Sequence, residues 1–426
     1  DEVSYMIDGV AVNDAFGGVS AVSTLEVEAV KDLEVITGTF NAEYGNAMSG
    51  VVNAVTKNGS NEFHGSINTG YSTYLTKNKK NNEEVFIGLD PFGINSNSDL
   101  RFNISGPVIK DRVYFFSNFR KQNVNGHLNG IRRFEVWNLS DFYDQDSSKW
   151  YSENTGDSSY VPMNKGDYTS FMAKLSLNLG SIKISTMLNQ NLSISRGYNH
   201  IYKYNPDGRS HSDGNTTLLM LQLNHFLNEK MFYDLKFSKT NNDYGSYVFE
   251  DYNSFNILQE DGIYQGVYHF AGDTLYNYVN DKYMTAYGAG FFTGGQDKGH
   301  LNRTTITNNL KFDFTWQITN AHNIKTGLSR TTYELENTYH TVRNAYAGTS
   351  DESDKYKPIV LPDSTVYSDV FLVKPKETSF YIQDKFEKDE VVINYGLRYD
   401  AFDANTTYPS QRRNPINSST YYLKNS

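Results

Sequence analysis

The sequence predicts an all-β transmembrane protein: an antiparallel outer-membrane β-barrel, preceded by a small α+β segment. Three observations predict it. Apolar and polar residues alternate over many stretches of about ten residues, the period of a strand with one apolar and one polar face. Short and long connections alternate, so all the long ones emerge on one side. Aromatic residues are abundant and crowd strand ends, with 33 Tyr and 26 Phe among 426 residues.

Composition narrows the class. The chain is only 38% hydrophobic, yet 15% of it is Phe, Trp or Tyr. A disordered chain is poor in aromatics. The absence of cysteine excludes a disulfide scaffold, a cysteine-zinc site, an iron–sulfur centre and a thiol nucleophile. A net charge of −10 argues against a nucleic-acid partner. No apolar run approaches the roughly 18 residues of a membrane-spanning helix. A barrel strand needs an apolar residue only at every second position, so it escapes that test.

Residues 1–62 are rich in Val, Ala and Gly. Tyr5 to Val10 reads as a strand and a turn, with Asp8-Gly9 as the turn pair. Ala21 to Asp32 reads as a short helix. Leu33 to Ile36 and Gly50 to Thr56 read as strands, and Lys57 to Asn61 as a turn cluster. The chain opens inside a strand-like run without a signal peptide, and is read as an interior portion of a longer one.

From Glu62 the alternation takes over. Phe171, Ala173, Leu175, Leu177 and Leu179 are apolar, with Lys174, Ser176 and Asn178 between them. Val391, Ile393, Tyr395, Leu397 and Tyr399 alternate with Asn394, Gly396, Arg398 and Asp400. Eleven strands are expected near 63–75, 99–108, 112–123, 167–179, 181–195, 215–227, 230–242, 302–316, 321–336, 377–387 and 390–402. The long connections are 76–98, 124–166, 196–214, 243–301 and 337–376. Soluble sandwiches, barrels and propellers also alternate. Strands of about 10–15 residues, against about 5–6 in soluble proteins, favour the membrane barrel.

Glu34 through Gly65, with Glu43-Tyr44-Gly45 and Ser49-Gly50-Val51-Val52-Asn53 inside it, resembles the end of the plug domain and first barrel strand of TonB-dependent outer-membrane receptors. Ile7-Asp8-Gly9-Val10 looks like a strand-turn motif of that plug. Phe102 through Phe116 is similar to the second and third barrel strands of the branch with a carboxypeptidase-regulatory-like N-terminal domain, found in Bacteroidota-like sequences. Phe380 to Lys385 with Gly396 to Asp400 resembles a hairpin of the same branch. The resemblance implies a 22-strand barrel, of which about eleven strands are present. Residues 1–62 would be the late plug and 63–426 the first half of the barrel. An open half-barrel would leave unpaired edges in lipid, so the chain is expected to extend beyond Ser426.

The resemblance further implies active transport of an unidentified ligand across a Gram-negative outer membrane. The proton-motive force would drive it through TonB and its ExbB/ExbD motor. Outer-membrane lipid and lipopolysaccharide would surround the barrel. A surface lipoprotein lid is allowed but not indicated. The alternative is a non-transporting barrel, an adhesin or an accessory of a secretion or surface-assembly machine. A soluble carbohydrate-binding β protein is a third, weaker reading.

No catalytic constellation, cofactor motif or metal-ligand spacing is evident, so no enzyme is expected. His64 and the acidic run Asp351, Glu352 and Asp354 read as solvated before they read as ligands. Arg132-Arg133 and Arg412-Arg413 could meet lipopolysaccharide phosphates or simply water. The loop at 243–301 is densely aromatic. Tyr264, Tyr268, Tyr276, Tyr278, Tyr287, Phe291 and Phe292 are candidate ligand contacts, set against packing onto the barrel rim. In the plug the candidate residues are Asp8, Gly9, Glu43, Tyr44, Gly45, Gly50 and Asn53. Gly45 and Gly50 are expected in tight turns, Val51, Val52 and Val55 in the plug interior, and Glu43 opposite an Arg or Lys of the wall.

Overall fold

The computed structural model describes residues 3–16, 25–38, 41–45, 49–74, 79–80, 83–84, 86–89, 97–253, 269–271, 274–284, 290–409 and 420–422. The N-terminal part forms a four-stranded sheet from β1 (Val3–Ile7), β2 (Val10–Ala11), β3 (Val30–Ile36) and β4 (Gly50–Thr56). Its order is β2-β1-β4-β3, with β1 parallel to β4 and the other pairs antiparallel. Asp8 and Gly9 close the β1–β2 hairpin at φ 48° and 78°, the left-handed pair that a two-residue turn demands. The helix expected over 21–32 is not found in its described part. Val27–Ala29 is one 3-10 turn, and Val30 to Asp32 already belong to β3. Its β-branched Val27 and Val30 suit an extended chain.

Twelve strands build the large antiparallel sheet. They are β5 (His64–Ser72), β6 (Asn97–Ile109), β7 (Val113–Val124), β8 (Lys165–Leu179), β9 (Ile182–Arg196), β10 (His211–Asn228), β11 (Met231–Tyr247), β12 (Gly299–Gln317), β13 (His322–Thr341), β14 (Ser368–Val373), β15 (Lys376–Lys388) and β16 (Val391–Asp403). All eleven expected strands are present, each paired with its sequence neighbour in that set. The unforeseen β14 pairs with the upper part of β13 while β15 pairs with the lower part. Several strands run longer than expected: β12 has 19 residues and β13 has 20. At the short-turn end, Asp111, Gly180 and Asp389 take positive φ. Pro107, which has no N–H to give the ladder, sits at a register shift in β6.

The two faces separate as the alternation requires. Phe171 is 37% exposed and its neighbour Met172 only 1%. Leu175, Leu188, Leu192, Leu219, Leu221, Leu310, Leu328 and Ile382 continue the outward apolar belt. The inward face is not uniformly polar. Phe116, Met172, Met187, Leu218 and Met220 form an apolar patch that packs against Ile7, Val10, Val12 and Ala29 of the N-terminal segment. Those five side chains sit under the N-terminal segment rather than facing water, which is why they can be apolar. Unbranched Met fills such irregular contacts readily.

Candidate functional site: the interface between plug and barrel wall

The ion pairs between plug and wall run one way: the wall supplies the cations and the plug the carboxylates. At the centre, Thr56 donates its backbone N–H to Asp8 Oδ1 at 2.8 Å and its hydroxyl to Oδ2 at 2.6 Å. Lys174 of β8 donates to Asp8 Oδ2 at 3.0 Å and to Thr56 Oγ1 at 2.7 Å. Both charged side chains are under a tenth exposed. Lys236 of β11 donates to the Asp8 carbonyl at 2.8 Å. A Cβ on Gly9 would stand 2.8 Å from that ammonium, a mobile side-chain end, and it is the positive φ that calls for glycine there. Asn53 fixes the hairpin by accepting from Gly9 N at 2.9 Å and donating to Glu34 at 2.9 Å.

A second clamp grips residues 42–45. Glu43 pairs with Lys325 of β13, the wall cation anticipated for it, and its N–H donates to Gln383 Oε1 of β15 at 3.2 Å. Arg398 of β16 is held by Asp400 through Nε at 2.9 Å and donates to the carbonyls of Ala42 and Glu43 at 3.3 and 3.2 Å. A Cβ on Gly45 would lie 2.6 Å from the Arg398 guanidinium carbon. Gly45 therefore serves close approach, not the tight turn expected of it. Gly50 also makes no left-handed turn: it opens β4 opposite Val3, where a Cβ would meet only ordinary contacts. Val51 is buried, whereas Val52 and Val55 are half-buried. Burial, then the neighbouring Glu43 carboxylate, pushes the Tyr44 hydroxyl up to about 12.

A third clamp joins the 3-10 turn to β6 and β7. Arg101 reaches Glu28 at 2.8 Å, Arg120 reaches Glu26 at 3.0 Å, and Asp99 accepts from both guanidiniums. Burial pushes Glu26 above its ordinary value and outweighs the attraction of Arg120. Burial also opposes ionisation of Glu28, but there the Arg101 hydrogen bond and charge prevail and hold it below the ordinary value. Sequence reading missed Arg101, Arg120, Lys174, Lys236, Lys325 and Arg398. Their one signal is a cation at an inward position of an alternating strand.

Among the described residues, cavities flank the plug at three places. One of about 540 Å³ lies between Asn13, Glu43 and Gly45 and the wall residues Asn309, Thr331 and Tyr381. One of about 630 Å³ lies between Phe16 and Glu26 and the wall residues Tyr168, Tyr244 and Arg303. The third, about 480 Å³, lies toward the short-turn end, under Asp8 and Thr56.

The aromatic-loop candidates divide. Tyr264, Tyr268 and Tyr287 lie outside the described residues. Tyr276 is half-buried. Tyr278 is fully buried against Phe249 and beneath the Lys298 ammonium, which also bonds Tyr356 of the next long connection at 3.1 Å. Phe291 packs on His200 and Tyr204, and Phe292 on Tyr202. In this arrangement Tyr278, Phe291 and Phe292 join loops to one another. Arg132 is engaged by Asp207 at 2.5 Å and Asp157 at 3.0 Å, and Asp351 by Lys355 at 2.9 Å. Arg412-Arg413 lies outside the described residues. Among the described residues no group of three or more His, Cys, Asp or Glu could hold a metal ion.

Residues 1–51 match the family described as TonB-dependent Receptor Plug Domain. Over 120 residues the chain is 38% identical to the TonB-dependent transporter Oar of Myxococcus xanthus, a match spanning 28% of this chain and 11% of that protein. Over 97 residues it is 34% identical to the probable TonB-dependent siderophore receptor PirA of Acinetobacter baumannii, spanning 22% of this chain and 11% of that one. In fold it is similar to the outer-membrane transporter YddB of Escherichia coli, with a TM-score of 0.59 at 12% identity, covering 94% of this chain and 49% of YddB. The unliganded ferric citrate transporter FecA superposes with a TM-score of 0.56 at 10% identity, covering 94% and 47%. The chain thus spans about half the length of these solved transporters.

Proposed function

We propose that this chain, an outer-membrane protein of the TonB-dependent receptor type, carries a ligand into the periplasm when TonB, energised by the proton-motive force through ExbB/ExbD, displaces its plug. The plug docked on the polar face of the sheet supports this reading above all else. In the completed barrel it would occupy the path of a solute, held there by its charged contacts. We further propose that residues 1–62 are the late plug and 63–426 half of a 22-strand barrel, completed by strands that pair with the free edges of β5 and β16. Residues 102–116 favour the branch with the carboxypeptidase-regulatory-like domain. Asp8, Gly9, Glu43, Gly45 and Asn53 would hold the resting plug, and the aromatic loop would contribute to ligand capture once opened.

The test compares cells with and without the intact gene in their native medium and follows which solutes disappear. Solutes taken up only by gene-bearing cells, and no longer taken up once a protonophore is added, support transport. Equal depletion by both strains, or uptake that survives collapse of the gradient, overturns it. Loss of adhesion or surface assembly without any change in uptake would favour the alternative role.

A further inference from the structure

The cavity under the Asp8 hairpin has chemistry unlike the other two. Lys174, Lys183 and Lys236 line it, and Asp8 is its one carboxylate among the lining residues. Both oxygens of that carboxylate are already engaged, by Thr56 and Lys174. Lys236 has a carbonyl rather than a carboxylate as its acceptor. Lys183 lies over the Phe226 ring at 5.8 Å. The nearby acids Asp234 and Asp313 are themselves occupied, Asp234 by the Asn224 amide and Asp313 by Tyr381 and Lys311. Asn58, Gln222 and Asn224 add amide groups to the lining, and Asn178 Oδ1 is buried with no donor among the described residues. The wall of this cavity comes from β7 to β11, in the middle of the sheet, so its shape does not depend on the free edges.

We propose that this cavity is an anion site on the exit side of the plug, which the plug's own Asp8 carboxylate fills at rest. The inference rests on the transport reading and adds to it the class of ligand: a small organic anion, with a hydroxyl to donate to Asn178. A buried cation is costly without a counter-charge. As the hairpin withdraws, Lys174 and Lys236 lose the Asp8 carboxylate and carbonyl together, and a ligand carboxylate takes their place. Lys183, two residues past the Gly180-Ser181 turn, extends the same charge toward the periplasmic mouth. The site is weakest while the plug is seated and strongest when it moves.

The probe is citrate, a hydroxy-tricarboxylate, titrated calorimetrically into the full-length protein in detergent. Heat-dependent gel mobility confirms that each variant is folded. Asp8→Asn leaves Lys174 without its counter-charge and is expected to tighten citrate binding roughly tenfold, the scale of one partly desolvated charge. Lys236→Met and Lys183→Met are expected to weaken it by a similar factor. Lys183 makes no contact with the plug among the contacts described above, so its variant separates charge from plug docking. No citrate binding to either wild type or Asp8→Asn overturns the proposal, as does binding indifferent to both lysine variants. Citrate binding that persists in a protein without gradient-dependent uptake would sink the transport reading alone. Uptake without a citrate site would sink only this inference.

Discussion

Lys174 and Asp8 lie 166 residues apart in sequence and meet in a nearly dry spot between plug and wall. Removing one partner strands the other's charge, at about 3–5 kcal/mol. Lys174→Met is therefore expected to loosen the plug by that order, read as faster protease cleavage of residues 1–62 with the barrel intact. Adding Asp8→Asn should recover part of the loss, and a double variant no better than the single would contradict the pairing. The acidic turn offers a signed test. Glu28 sits below its ordinary value of 4.5, so its contribution is present above that pH and fades as pH falls through the lower, docked value. Glu26 sits above 4.5, so its ionisation works against docking as pH rises through that range. At pH 7, Glu28→Gln should weaken plug docking, whereas Glu26→Gln should leave it unchanged or firmer. Thermal release of the plug ranks the two, and the reverse order would refute the assignment. At this scale the sequence was half legible. Glu43 could be matched to a wall cation by class, but choosing Lys325 needs the depth of the plug in the barrel. No local pattern encodes that depth.

Strands were the most legible elements, because period-two alternation acts on every residue of a lipid-facing strand. Their upper ends were not. β11 runs past its expected end by Asp243 to Tyr247, and β12 starts before its expected first residue by Gly299 to Leu301; Gly245, Gly299 and their polar neighbours break the alternation there. β14 escaped for a different reason: Val370-Phe371-Leu372-Val373 is a short continuous apolar run with no alternation, inside a long connection. Over the described residues 25–32 the expected helix is an opposite failure: the apolar spacing fits two templates, and pairing of Val30 and Asp32 with β4 selected the extended one there. Two substitutions test the faces. Leu175→Arg, on the outward face, should cost about 2–4 kcal/mol of folding in lipid, measured by urea titration in vesicles. No loss would place that face elsewhere than in the bilayer. Inside, the Tyr381 ring covers Gly327, and its hydroxyl donates to Asp313 at 2.5 Å. Gly327→Val should displace that ring and destabilise β12, β13 and β15 by about 1–3 kcal/mol. Hydrogen exchange in those strands would report it, and unchanged protection would argue against the packing.

At the scale of the molecule, a sheet that is apolar outside and cation-bearing inside holds a small anionic sheet against its inner face. Composition had already hinted at this: a polar average with a large aromatic share suits a chain whose apolar residues face lipid one at a time. What composition could not convey is that the interior is a docking surface, with an apolar patch and three charged clamps. The most direct test of a plug that TonB moves uses the chain's lack of native cysteine. Ala54→Cys puts a single thiol on β4 at a position 1% exposed. Cells growing in native medium are treated with a membrane-impermeant maleimide. Labelling that occurs in energised cells and stops when the proton gradient is collapsed or TonB is removed is the predicted result. Labelling at the same rate in all three conditions would contradict a TonB-driven plug.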